Sequence, residues 1–468
     1  MEVIQELIHT VNDFLWTYLL LAMLLLAAGW FTWRTRFVQF RYLGEMFRLL
    51  WRPPISPTGR FSFVGKKPIS SFQAFAVSVA SRVGTGNLAG VASAIYVGGA
   101  GAIFWMWLIA ILGSATAFME STLAQLYKRR GTNAFTGGPA YYISYGLKCP
   151  RIGAVFSVLT IIGYGFVLNA LQSNTIAEAF HESFAIGKLE IGLILGGITL
   201  LIIFGGIQRI ARASSMIVAI MATGYVLLTL VLMIANIEQL PRVFTAIIES
   251  AFGWGQFAGG AIGACLMQGI RRGVFSNEAG MGSSPNAAAT ATVPHPVCQG
   301  LIQALGVFTD TLLICSCTAF VILLSGAEDA DGIRLTQTAF NVFLGEWGSV
   351  FVAIAIFALA YSTIIANYYY GETNVHFFTK RPVITLIYRL CVGGTLMGGA
   401  LVSVEFVWST VDLMMAFMAF VNLIALAFLG KYVYRLLDDY RTQRRKGIRE
   451  PKFYKEQMPD ISDDLECW

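Results

Sequence analysis

Apolar runs long enough to cross a bilayer recur along nearly the whole of this chain, and no other feature narrows its possible folds so far. A transmembrane helix needs about 20 mostly apolar residues to cover roughly 30 Å of hydrocarbon. Eleven such runs can be read, at about residues 14–33, 72–98, 101–127, 152–179, 190–207, 214–235, 257–280, 298–325, 347–371, 383–403 and 407–435. Composition agrees. Hydrophobic residues make up 56% of the 468 and charged residues 13%, with a mean hydropathy of +0.64; a soluble domain carries about twice that charge. The expected fold is an all-α polytopic membrane protein with eleven transmembrane helices.

The placement of charge assigns an orientation and removes one class of partner. With the N-terminus outside, 27 of the 33 Lys and Arg fall in gaps or span ends facing the cytoplasm, and three, Lys188, Arg242 and Arg334, face outward. That is the positive-inside pattern, giving a cytoplasmic C-terminus in a plasma (inner) membrane. A net charge of +6 is thereby explained by topology rather than by nucleic acid. Glu2, Glu6 and Asp13 precede the first run with no basic residue before it, which argues against a cleaved signal peptide. His9, His181, His295 and His376 are scattered, and Cys265, Cys315, Cys317 and Cys391 lie in apolar runs without a CxxC pair, so neither a metal centre nor a redox motif is expected. An intramembrane enzyme would need a convergent nucleophile and base, and the spans contain no histidine pair. No obligate protein partner is expected.

Turn formers at Arg52-Pro53-Pro54 and Ser56-Pro57-Thr58-Gly59 set the first span apart. The remaining ten divide as five plus five, and because five is odd the second set enters from the opposite side, as in an inverted repeat. The expected division is 1–71 for one extra N-terminal helix and loop, 72–235 and 236–435 for the repeats, and 436–468 for a cytoplasmic tail.

Two spans look discontinuous. Span two reads Ser81-Arg82-Val83-Gly84-Thr85-Gly86-Asn87-Leu88-Ala89-Gly90. Each interior Gly costs a helix about 1 kcal/mol, and backbone groups freed in lipid must find protein or ligand. Amides opening a half-helix suit a carboxylate, and freed carbonyls suit a sodium ion. Span seven is equally rich in glycine, with Gly259, Gly260, Gly263 and Gly269 before Arg272-Gly273-Val274-Phe275-Ser276-Asn277-Glu278-Ala279-Gly280. Small residues also let helices approach closely, but interruptions in both halves point to a midplane site, and Gly84, Gly86 and Gly263 are taken as part of it.

Ionisable groups at membrane depth are rare and usually functional. Asp310 suits a cation site or a proton relay, and equally a hydrogen-bonded structural acid. Glu120 and Asp412 lie nearer helix ends and read as structural. Glu278 is placed to pair with Arg271, Arg272 or Arg82, as a gate or as a lock on the fold. Ser362 and Thr363 offer oxygens for a hard cation or bond back to their own helix. Gln172, near Asn169 and Asn174, is a pocket candidate, although amides also join helices.

These segments, together with Gly99-Ala100-Gly101-Ala102-Ile103-Phe104-Trp105-Met106-Trp107, Gly137-Gly138-Pro139-Ala140-Tyr141-Tyr142 and the continuation Met281-Gly282-Ser283, closely resemble the alanine or glycine:cation symporter family. The resemblance implies a fold like that of the bacterial leucine transporter with an extra first helix. It implies that Thr85, Gly86 and Asn87 contact a substrate carboxylate, that Gln172 and Phe275 line the pocket, and that Ser362 and Thr363 complete a sodium site with span-two carbonyls. The expected function is sodium-driven symport of small amino acids such as alanine and glycine by alternating access. The alternative is a proton-driven symporter on the same scaffold.

Overall fold

A computed structural model describes residues 2–54, 68–131, 134–253, 259–328 and 330–468. The chain is helical almost throughout. Among the described residues the sole strands are Arg129–Arg130 and Phe135–Thr136, two antiparallel pairs of residues closing one loop. Among the described residues eight helices are long and apolar enough to cross a membrane: Gln5–Arg34, Ala102–Leu126, Pro150–Phe184, Arg212–Ala235, Pro296–Ser325, Trp347–Phe378, Pro382–Gly399 and Val404–Arg445. Large apolar side chains such as Leu26, Ile234 and Phe428 are exposed on the outer faces of these helices, the reverse of a water-soluble bundle and what lipid requires. This is a multi-pass membrane protein.

Three expected spans fall outside that set of eight. The run 190–207 yields a helix of 16 residues, Lys188–Ile203. The run 72–98 is divided into Ser71–Arg82 and Val91–Gly98. The run 257–280 yields Gly259–Asn277, which carries Arg271 and Arg272, and residues 254–258 before it lie outside the described residues. The Ser56–Gly59 turn stretch also lies outside them. The last helix continues ten residues beyond the expected end of its span, to Arg445.

The first break is built as its sequence suggests. Ser70 and Gln73 cap the first half reciprocally, Oγ of Ser70 accepting from the Gln73 amide and Oε1 of Gln73 from the Ser70 amide, a standard helix start. The helix stops at Arg82, Val83 is extended (φ −82°, ψ 91°), and the chain resumes in a π-helical turn, Gly86–Gly90, before Val91–Gly98.

The second interruption lies further along than the glycines of span seven suggest. Gly259–Asn277 is one helix, and the chain unwinds only over 278–284, where Glu278, Gly280 and Gly282 all have positive φ (57°, 85° and 79°), before Pro285–Ala288. Gly269 and Gly273 inside the helix serve packing instead. A methyl group on Gly273 would lie 2.6 Å from Cγ2 of Ile109, and one on Gly269 would meet the backbone of Ala102, so both admit the Ala102–Leu126 helix at close range.

The extra first helix is part of the bundle. Nδ2 of Asn12 donates to the Ser409 carbonyl (2.8 Å) and Nε1 of Trp16 to the Asp412 carbonyl (3.2 Å), fastening it along the last helix.

Candidate binding site at the broken helix

Two helices each contribute a polar side chain to the backbone groups left over by the break at residues 83–87, and the broken segment supplies a third itself. From Pro150–Phe184, Gln172 turns Oε1 to the Thr85 amide (3.0 Å) and to the Thr85 hydroxyl (2.8 Å). From Trp347–Phe378, Thr363 donates Oγ1 to the Ala80 carbonyl (2.8 Å) and also lies 3.2 Å from the Val83 carbonyl and 3.1 Å from that of Leu359. Asn87 folds back so that Oδ1 accepts from the Gly84 amide (2.9 Å). Thr85, Asn87, Gln172 and Thr363 are all fully or almost fully buried.

Glycine is required at two of these positions. A methyl group on Gly84 would run into the Thr363 hydroxyl and come within 2.8 Å of Oε1 of Gln172. One on Gly86 would lie 2.9 Å from the Phe275 ring and 3.2 Å from the Ser276 backbone. Phe275 packs against Trp408 with its ring tilted by 58° and 4.9 Å between ring centres.

Asp310 sits beside the break but in a separate cluster. It lies in a π-helical segment, Phe308–Cys315, and such segments are frequent at functional sites. Its Oδ1 accepts from Nδ2 of Asn87 (2.7 Å), and its Oδ2 from the hydroxyls of Ser276 (2.7 Å) and Thr311 (2.9 Å). Thr363 faces the opposite flank of the unwound segment. Ser362 turns its hydroxyl to the Leu359 carbonyl of its own helix (2.7 Å). Gly263 is not brought to this site: it is exposed on the Gly259–Asn277 helix, with no atom within 4 Å of where a side chain would begin.

Two charge clusters bracket the pocket. Among the described residues Glu278 has no arginine within ion-pair distance. It accepts from Ser81 (2.8 Å) and Ser283 (2.6 Å), tying the second interruption to the helix before the first. Arg271 and Arg272 instead meet Asp412 at 2.5 Å and 3.3 Å, with Arg272 over the Trp408 ring (4.3 Å). Above them opens a cavity of about 530 Å³, lined among others by His9, Glu178, Asp331, Arg334 and Trp408 and reaching Ala89 of the broken helix. Arg82, fully buried, has no carboxylate within ion-pair distance among the described residues; it donates to the Gln303 carbonyl (3.3 Å) and Ser284 (2.9 Å). Glu120 holds the second interruption directly, its Oε2 accepting from the Gly282 amide (3.1 Å) and from Asn422 (2.9 Å).

Sequence reasoning missed Ser276, Trp408 and the pairing of Asp412. The signal lay in spacing: Trp408, Ser409 and Asp412 share one face of a helix, and an adjacent Arg pair in an apolar span demands an acid opposite.

Residues 1–455 match the model of the sodium:alanine symporter family. The chain belongs to this family. It is 48% identical over 470 residues to the probable sodium/glutamine symporter GlnT of Bacillus subtilis (strain 168), covering 100% of this chain and 96% of the relative. It is 36% identical to the sodium/alanine symporter AgcS of Methanococcus maripaludis, over 92% of this chain and 95% of the relative. It is 35% identical to the sodium/proton-dependent alanine carrier protein of Bacillus sp. (strain PS3), over 82% of this chain and 91% of the relative. The family is one of amino-acid transporters coupled to cations.

Proposed function

We propose that this family member carries a small amino acid such as alanine or glycine into the cell together with sodium, by alternating access. The supporting observation is that both flanks of the unwound segment offer oxygens and amides suited to a zwitterion and a hard cation. Oε1 of Gln172, on the amide and hydroxyl of Thr85, stands where one oxygen of a substrate carboxylate would be accepted. The carbonyls of Ala80 and Val83 with the Thr363 hydroxyl supply neutral oxygens for sodium, and Ser362 adds its own by a rotamer change. The Gly86–Phe275–Trp408 wall leaves little room for a side chain, which favours alanine and glycine. In the accompanying architecture, eleven spans comprise one extra helix and a five-plus-five inverted repeat with the two interruptions at its centre. The N-terminus faces out and the C-terminus lies in the cytoplasm of an inner-membrane protein. The Arg271–Arg272–Asp412 cluster forms the outer closure, and the Ser81–Glu278–Ser283 contacts the inner one.

Purified protein in liposomes tests this. Inward sodium should drive uptake of labelled alanine and glycine, and uptake that is unchanged when choline replaces sodium refutes sodium coupling. Asp310, buried and hydrogen-bonded to Asn87, favours the proton-driven alternative; alanine uptake driven by an imposed pH gradient in sodium-free buffer would establish it.

A further inference from the structure

Away from the broken helix, a second cavity of about 610 Å³ opens on the side of the molecule where the 446–468 tail lies. It is lined by Arg129 and Arg130 of the short hairpin, Ser144 and Tyr145 of the Pro139–Gly146 helix, and His376 and Lys380 at the end of Trp347–Phe378. The chemistry of the lining is that of an anion site. Arg129 lies flat on the Tyr145 ring, 3.6 Å from its centre, which fixes the guanidinium plane. Its Nε is buried without a protein partner, and so is Oγ of Ser144. Both atoms are closed to solvent, so an anion in the cavity would meet the lining cations Arg129, Arg130 and Lys380 through their outer nitrogens.

The chain itself supplies one anion. Glu466 lines the same cavity, 3.4 Å from Nη1 of Arg129 and 3.0 Å from the backbone amide of Arg130. Lys380, on the cavity wall, has no ion pair among the described residues, whereas Lys148 close by is held by Asp464 (3.4 Å) and Arg151 stands exposed. The position fixes the kind of anion. Pro150, on the rim, opens a helix whose next turns expose Ile152, Val155 and Val158. A cationic cleft directly above a lipid-facing apolar stripe is at headgroup level, where basic pockets between helices bind anionic lipids.

We propose that this cavity binds a phosphate-bearing anion, the headgroup of an anionic phospholipid whose acyl chains follow the Ile152–Val155–Val158 stripe, and that Glu466 is the group the phosphate displaces. Arg129 and Lys380 grip the phosphate, with Arg130 completing the basic rim. Each basic residue near an anionic headgroup contributes about fivefold in affinity. Binding is therefore steep in lipid charge and indifferent to zwitterionic headgroups.

Native mass spectrometry of delipidated full-length protein in detergent tests the assignment, with dioleoylphosphatidylglycerol as ligand and dioleoylphosphatidylcholine as control. Wild type should retain phosphatidylglycerol, Lys380→Gln should bind about fivefold more weakly, Arg130→Gln with Lys380→Gln still more weakly, and Lys380→Arg as wild type. Glu466→Gln should bind severalfold more tightly. Inorganic phosphate in the titration separates the sources: failure to displace phosphatidylglycerol identifies a lipid site, and displacement at millimolar concentration identifies a site for free phosphate. Equal retention of phosphatidylglycerol by wild type and the double variant, with an unchanged melting temperature in both and no effect of phosphate, overturns the proposal.

Discussion

At the scale of single residues, the polar groups around the break divide into two sets with different tolerance of change. Asp310 accepts three hydrogen bonds from Asn87, Ser276 and Thr311 in a site closed to solvent. A buried acceptor bound by several donors cannot lose its charge without leaving some of them badly matched, at a cost of about 1–3 kcal/mol for each. Asp310→Asn should therefore lower alanine uptake at least tenfold, because Asn87 is then no longer held against the Gly84 amide. Asn87→Ala should lower it comparably, and the double variant little further, since one network is lost in each case. Uptake by Asp310→Asn at the wild-type rate would show that this network does not serve transport. Asp412 behaves differently. It neutralises two arginines, so removing it leaves two buried cations facing each other, and Asp412→Ala should impair folding more than any change within the pocket.

At the scale of elements, the broken helix depends on close approach. Gly84 has Thr363 on one side and Gln172 on the other. An added methyl group costs little in an exposed helix, but here it must push the Thr363 hydroxyl off the Ala80 and Val83 carbonyls. Gly84→Ala is expected to abolish sodium-dependent uptake while the protein still reaches the membrane, and comparing uptake with surface abundance checks this. Gly263→Ala provides the contrast. It faces open space on an unbroken helix, where Ala is the better helix former, and should leave uptake unchanged. A loss of uptake in Gly263→Ala equal to that in Gly84→Ala would place the binding region earlier along span seven than the observed interruption.

At the scale of the whole molecule, the tail after Arg445 binds elements far apart in sequence. The Phe453 amide donates to the Pro294 carbonyl, and Nε1 of Trp468 donates to the carbonyls of Gln125 and Leu126. Trp468 and Phe135 each face the Lys128 ammonium, at 4.3 and 4.4 Å. Burial pushes that amine down from 10.5 to about 8. Above pH 8, Lys128 therefore binds more protons with the tail released than with it docked. Above pH 9 the Cys467 thiol, pushed up from 9 to about 11 by burial, acts in the opposite sense. Docking therefore strengthens between pH 8 and about 9 and is flat below and just above that window. Cleavage of the tail by a protease should slow between pH 7.5 and pH 9 relative to Lys128→Gln, in which that slowing should be lost. Trp468→Ala should expose the tail at both pH values; an unchanged cleavage rate in that variant would show that the docked arrangement does not persist in solution.

Much of this protein follows from its sequence alone. Hydrocarbon admits only backbone that satisfies itself, so long apolar runs had to become membrane helices, and Gly84-Thr85-Gly86 in one of them, taken with the glycines of span seven, pointed to a break. The motifs were enough to identify the family. Gln172 and Thr363 were also legible, because an amide and a hydroxyl deep in apolar helices need partners. What the sequence left open was decided by distances between segments far apart in the chain. Whether Gly263 and Gly273 unwind a helix or admit a neighbour depends on what packs against them, and Ile109 decides the matter at Gly273. Which acid meets Arg271 and Arg272 depends on how the last helix crosses span seven, and it is Asp412 rather than Glu278. A run of small or charged residues states a need for close packing or for a counter-charge, and only the packed bundle determines which residue meets it.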